Sequence, residues 1–581
     1  MLSSDVVNHP TPAIVSQHAV RRLPRWALFL LCAAYVLPGF WGRGPWKSQD
    51  IEALGYMLML AQPTPGDIVS WLKPTLLGQV DDNLALLTHW LGALAIKLAP
   101  TGWEAAFARA PFVTMLALTL VATWYSVYAL ARHPAAQPVA FAFGGEAKPA
   151  DYARALADGG LLALLACLGL AHRSHETTPF LMQLSFGAGL FFGLTHLGRK
   201  RWHGRLAIAA SMLGLTLSGA PSMALMLGVG GAVISTAMPA DPTHRRLSML
   251  DLGLLALIGL LCITTAGALD LWRWRIAPHA LLNVHDMAQL MAWFTWPAWP
   301  LAIWSLWRWR GQLSQIWLHP HLALPLWFVI VTFGTSWFTG ISDRVLLVAL
   351  PAIATLAAFA LPTLKRSLSA LIDWFTLLFF SICALTIWVV WVAMQTGFPA
   401  QPAANVKRLA PEFVPEFSAT AFTLALLATL AWAGLVKWRT GAHRSAIWKS
   451  LVLPASGAVL CWLLLTTLWL PLLDYARSYA PFMKKVVDVT GPSPCYQYAG
   501  ITKPQGAGLI YHAKVTLKPL EKPLPDCAWL IVDQQNLPLL SQRIESLGWT
   551  EQTRITRPTD RFENFVIFGP VPAPPTVPTS R

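Results

Sequence analysis

Charge is what this chain has least of. Asp, Glu, Lys and Arg make up 12% of its 581 residues, about half the share of an ordinary soluble domain. Set against 55% hydrophobic residues, that scarcity excludes a water-soluble globular protein. Cysteine is scarce as well: there are seven, none in a C-x-x-C pair. With no H-E-x-x-H run either, nothing is dedicated to a metal centre and no metal or other cofactor is predicted; the sequence offers no support for a divalent ion. The 43 basic residues outnumber 28 acidic ones, but the excess is spread over short segments between apolar runs. That distribution argues against a nucleic-acid partner.

What is present is apolar length. Thirteen runs, at about 26–40, 104–131, 155–171, 178–197, 205–218, 221–238, 249–268, 290–307, 322–338, 344–362, 371–393, 418–436 and 451–470, approach the roughly 20 residues that cross a bilayer. They are too long and too uniformly apolar for barrel strands, and helices satisfy their backbone internally. The predicted fold is therefore mainly α: a polytopic membrane bundle of about 13 transmembrane helices, followed by a small C-terminal α/β domain. The first run follows Arg21, Arg22 and Arg25 and leads into bulky Trp41 rather than a small-residue cleavage site, which reads as an uncleaved anchor.

Under this count the basic loops, among them Arg132/Lys148/Arg154, Arg308/Arg310, Lys365/Arg366 and Lys437/Arg439, all share the side of the N-terminus. Positive loops stay inside, so the N-terminus is expected in the cytoplasm of a bacterial cell and the protein in its inner membrane. The expected parts are a cytoplasmic tail at 1–25, a membrane domain at 26–471 with a first periplasmic loop at 41–103, a periplasmic α/β domain at 472–569 and a disordered Pro-rich tail at 570–581. Within the first loop, 84–98 is apolar but short and reads as a juxtamembrane helix. In the C-terminal domain, 495–501, 508–511, 528–532 and 565–568 read as strands and 537–547 as a helix. Five cysteines lie in the apolar runs. Cys495 and Cys527 either form a disulfide in an oxidising compartment or stand as two reduced thiols.

The acidic residues that could carry chemistry fall on the outer side: Asp50, Glu52, Asp82 and Glu176. Asp50 follows the first run by a few residues, within reach of a lipid headgroup. Group transfer from a phosphate-linked donor needs a base near the acceptor and cations near the departing phosphate. Asp50 fits the first part, while Arg43, Lys47, Lys73 and Arg344 fit the second. The same spacing also suits ordinary solvated loop charges. Glu176, at the start of the fourth run, is either a cavity carboxylate or a helix N-terminal charge.

Three stretches carry a resemblance: Pro45-Trp46-Lys47-Ser48-Gln49-Asp50-Ile51-Glu52-Ala53, Trp71-Leu72-Lys73-Pro74-Thr75-Leu76-Leu77-Gly78 and Leu87-Thr88-His89-Trp90-Leu91. With Ala108-Arg109-Ala110-Pro111, Leu217-Ser218-Gly219-Ala220-Pro221 and Asp343-Arg344, their order resembles the 4-amino-4-deoxy-L-arabinose transferase and protein mannosyltransferase family of the GT-C superfamily, over most of residues 26–362. The resemblance implies a membrane glycosyltransferase of inverting type. It would take a sugar from a polyprenyl-phosphate donor and pass it to a periplasmic acceptor on lipid A, another glycan or a protein, with Asp50 as the acidic residue of the first loop. Two lysines usual in the family are absent: their positions hold Leu84 and Ser218. That substitution implies other phosphate ligands, a different donor, or a binding protein that keeps the fold without catalysis. A transporter of polyprenyl-linked glycan is the rival reading, and it predicts mid-span charges and repeats that the chain does not display.

Overall fold

The computed structural model describes residues 11–62, 68–82, 84–198, 201–237, 247–272, 284–339, 342–440 and 446–570. Every expected apolar run overlaps a helix in it, so the chain is a polytopic helical membrane protein. Seven helices among the described residues are long and apolar enough to span a bilayer: Glu104–Ala131, Met249–Ala268, Pro320–Thr339, Val345–Thr363, Arg366–Thr396, Ala419–Arg439 and Ile447–Thr467. The remaining runs form shorter or broken helices, so thirteen full spans are not established. The run expected at 290–307 is two helices, Val284–Phe294 and Ala298–Arg308. Pro297 sits between them, where it lacks an N–H to donate and disfavours helix at the residue before it.

Local chemistry explains the starts. Pro149, Pro179 and Pro221 open helices at the position where the proline's missing N–H costs nothing. Ser248 and Asp251 form a reciprocal capping box, and Arg205 pairs with the same carboxylate at 2.7 Å. The centre of the bundle is Pro149–Ala166 against Leu350–Ala360, both buried almost throughout. Gly160 lets Pro149–Ala166 close on Glu104–Ala131, because a Cβ there would lie 2.8 Å from Val127.

The first loop is more structured than its polarity suggests. A helix, Gln49–Ala61, buries Ile51, Leu54, Met57 and Leu60 at intervals of three residues, a stripe that the sequence carried in plain sight. It packs on a second helix, Leu86–Lys97, in the segment read as juxtamembrane, and on the C-terminal domain.

That domain holds a five-stranded sheet in the order Thr516–Pro519, Cys495–Ala499, Leu530–Asp533, Asp560–Pro570, Trp549–Arg557. The first three strands run parallel and the last two pair antiparallel. The helix Leu537–Ser546 lies where one was expected. Residues 508–511, read as a strand, are helical instead, in Lys503–Gly508 and the following turn to Ala513. Thr502 caps this helix in a box with Gln505, and Gly55 of the first-loop helix admits Ala507 at a distance no larger residue would allow. Residues 571–581, most of the tail expected to be disordered, lie outside the described residues.

Cys495 and Cys527 are joined in a disulfide, with Cα atoms 4.8 Å apart and a separation of 32 residues. Closing a loop of that length restricts the unfolded chain by about 3–4 kcal/mol. Replacing both cysteines by serine should lower the thermal midpoint of the purified full-length protein and abolish its sensitivity to reductant. An unchanged midpoint would show that the bond does not hold the domain together.

Candidate active site

Charged side chains gather where the first loop, residues 172–178, residues 343–344 and the segment after Thr467 meet. Asp50 lies at the heart of this cluster, in the first turn of Gln49–Ala61, and is 2% exposed. Its Oδ2 accepts from Arg43 Nη1 at 2.8 Å and from the Trp46 backbone N–H at 3.1 Å. Its Oδ1 accepts from the Thr177 N–H at 2.8 Å and the Thr177 hydroxyl at 2.6 Å. Burial alone would push this carboxyl up; the Arg43 and Arg109 guanidiniums and both Thr177 hydrogen bonds outweigh it and hold it well below the usual carboxylate range.

Arg43 is spent on structure. It donates to the carbonyls of Gly39 at 2.8 Å and His175 at 2.6 Å, and its guanidinium stacks over Trp46. Gly39 is required there, since a Cβ would strike the His175 ring. Arg109, from the Ala108-Arg109-Ala110-Pro111 segment, donates to the Arg43 carbonyl at 2.6 Å. Together these contacts fix the turn between the first helix and Asp50.

Beside this knot stands a second layer. Glu176 accepts from Arg173 at 2.9 Å and from Arg344 at 3.0 Å, and Arg173 also pairs with Asp343. Arg477 reaches the Nε2 of His172 at 3.1 Å and lies 5.5 Å from the Trp46 ring centroid, with no carboxylate partner among the described residues. His172 stacks on Trp46. Burial, and next to it the Arg477 charge, pushes His172 down to about 3, so the ring is neutral and its lone pair faces the guanidinium. Arg477 is exposed. Counting Arg43, Arg109, Arg173, Arg344 and Arg477 against Asp50, Glu176, Asp343 and Asp474, cations lead by five to four.

The other expected residues are placed differently. Lys47 pairs with Asp560 and Glu563 of the C-terminal domain, each at 3.0 Å, and so ties that domain to the first loop. Lys73 is exposed, away from this cluster, with no ion pair among the described residues. Asp82 pairs with Lys503 at 3.1 Å. Glu52 points away from Asp50, since two residues along a helix turn through about 200°. Arg173, Thr177, Asp474 and Arg477 were not anticipated. Only Arg173 had a local signal, its three-residue spacing from Glu176. Among the described residues no three His, Cys, Asp or Glu side chains converge as metal ligands.

No protein-family model and no curated protein matches the chain. Solved structures do. The crystal structure of ArnT from Cupriavidus metallidurans in the apo state superposes with a TM-score of 0.59 at 14% identity, covering 94% of this chain and 98% of that one. The structure of the same protein bound to undecaprenyl phosphate gives 0.56 at 14% identity, with 95% and 99% covered. The fold is thus shared end to end, membrane bundle and C-terminal domain together.

Proposed function

We propose that this protein is a membrane glycosyltransferase that takes a sugar from a polyprenyl-phosphate donor and passes it to an acceptor outside the cytoplasm, with inversion at the transferred carbon. The observation that carries the reading is the arginine layer. Arg173, Arg344 and Arg477 converge at the ends of the membrane helices, and Arg477 has no carboxylate to neutralise it. A lipid phosphate lying at the membrane boundary meets that requirement, and guanidinium groups bind phosphate oxygens in pairs. An ArnT of the same fold binds undecaprenyl phosphate, which is consistent.

On this reading the donor phosphate is held by Arg173, Arg344 and Arg477, where Arg344 was expected and the other two stand in place of Arg43, Lys47 and Lys73. Those charges stabilise the phosphate as it departs, the largest contribution to such a displacement. Asp50 acts as a positioning residue. Both its oxygens are doubly engaged and it is too weakly basic to take a proton, so it holds Arg43 and Thr177, and through them the loop that carries Arg173 and Glu176. The protein sits in the inner membrane of a bacterium with its N-terminus in the cytoplasm, and the acceptor is a lipid A, glycan or protein group on the other side.

Purified full-length protein, undecaprenyl phosphate bearing a radiolabelled sugar and a cell-envelope extract test the reading. Label should move from lipid to acceptor, and Asp50→Asn should slow the transfer roughly 10–100-fold by loosening the loop, an effect of 1.4–2.7 kcal/mol in order of magnitude. Saturation of Asp50 also favours a second reading, a protein that binds the donor without turning it over. Binding of undecaprenyl phosphate with no transfer by wild type would establish that one.

A further inference from the structure

We propose that Glu52, rather than Asp50, takes the proton from the acceptor, and that Tyr56, the Asp81–His89 pair and Lys503 set its strength as a base; this rests on the transferase reading above. Glu52 is half-buried on the first turn of Gln49–Ala61, and its carboxylate makes no hydrogen bond or ion pair among the described residues. Its surroundings are built from three other elements. Asp81, in the loop before Leu86–Lys97, accepts from His89 Nε2 at 2.9 Å and from the Ala85 N–H at 3.0 Å. Lys503 of the C-terminal domain donates to Asp82 at 3.1 Å and to the Val80 carbonyl at 3.0 Å.

Two further polar atoms of this arrangement are buried and open. His89 is 2% exposed and Tyr56 1%, yet the Nδ1 of one and the hydroxyl of the other have no hydrogen-bond partner. Their rings lie 4.9 Å apart. Nε2 is engaged with the Asp81 carboxylate, which leaves Nδ1 as the open polar atom of the ring. Two buried polar atoms left open beside an unpartnered carboxylate describe a place that a polar group of another molecule completes.

The charges favour a base. Burial pushes the Glu52 carboxyl up; Lys503 and His89 oppose the rise while Asp81 and Asp82 reinforce it. A general base works best when its affinity for the proton approaches the working pH. In the transfer step the acceptor's O–H or N–H bond breaks and its proton passes to Glu52. The freed electron pair forms the bond to the sugar carbon, the carbon–phosphate-oxygen bond breaks, and that pair leaves with the lipid phosphate.

Two measurements on the full chain test this. Purified protein is labelled with dicyclohexylcarbodiimide, which modifies protonated carboxyls, across a pH series, and Glu52 is compared by mass spectrometry with exposed Glu545 in the same digest. Glu52 should label with a midpoint above that of Glu545, moved down by Asp81→Asn and up by Lys503→Met. In the transfer assay, Glu52→Gln should lose at least 100-fold in rate with undecaprenyl phosphate binding intact, and His89→Gln should shift the pH profile. Absence of label, a midpoint equal to that of Glu545, or transfer unaffected by Glu52→Gln would overturn the assignment. A raised midpoint with no transfer by wild type would overturn the transferase reading first, and the base assignment with it.

Discussion

Arg43→Met should cost the protein about 3–5 kcal/mol, because it strips the closest cation from a carboxylate that stays buried. Asp50 is 2% exposed and its partner's side chain 3%, so water cannot enter to solvate the charge left behind. The sign of the pH dependence should also invert. In wild type the folded Asp50 is held below its unfolded value, so its contribution is present above about pH 4 and is lost as pH falls through the folded value. In Arg43→Met burial dominates, the carboxyl rises above its unfolded value, and the penalty is relieved as pH falls. Between pH 4 and 8 Asp50 should therefore leave the thermal midpoint in detergent level for wild type, its contribution being lost only below that range, whereas the midpoint of the variant should rise on acidification. The double variant Arg43→Met/Asp50→Asn should regain more than half of the loss, since removing both charges is far milder than orphaning one. Parallel pH profiles for wild type and Arg43→Met would show that the pair does not carry the fold of this turn.

The second large effect concerns the lipid phosphate, and it separates two neighbouring residues by sign. Arg477→Gln removes a guanidinium that has no acidic partner, so the fold loses little while the phosphate loses a charged hydrogen bond. Such a bond is worth about 1.5–3 kcal/mol, which corresponds to a roughly 10–100-fold weaker affinity for undecaprenyl phosphate. Glu176→Gln should do the opposite. The carboxylate now engages Arg173 and Arg344; neutralising it releases both for the ligand and removes a like charge from beside the phosphate, so binding should tighten up to about tenfold. Titration of the purified protein with undecaprenyl phosphate, followed by native mass spectrometry, reads both. Both shifts should shrink as ionic strength rises. Equal affinities for wild type, Arg477→Gln and Glu176→Gln would remove the phosphate from this cluster.

Parts of the site were legible beforehand. Asp50 and Glu176 drew attention as carboxylates next to apolar runs, and both belong to the charged knot. Arg344 was legible in the same way. The partners of Lys47, Asp560 and Glu563, lie more than 500 residues away; no spacing argument reaches that far. The helix Gln49–Ala61 was missed for a different reason. Its apolar stripe was present, but the polar stretch before it and the masking effect of thirteen far more apolar runs made the segment read as loop. The strand expected at 508–511 failed because the short run Leu509-Ile510-Tyr511 was outweighed by a capping box that starts at Thr502.

The membrane-embedded helical character and the change to an α/β domain near the C-terminus were decided by the sequence alone. Both depend on local properties, apolar length and periodicity, which hold whatever the helices pack against. Which charges neutralise one another was decided only by tertiary structure. Asp50 meets Thr177 across 127 residues, Glu176 meets Arg344 across 168, and Asp82 meets Lys503 across 421. Those encounters follow from how helices stack and where the C-terminal domain docks. They close both oxygens of Asp50 with hydrogen bonds and leave the Glu52 carboxylate, two residues on, with its lone pairs open.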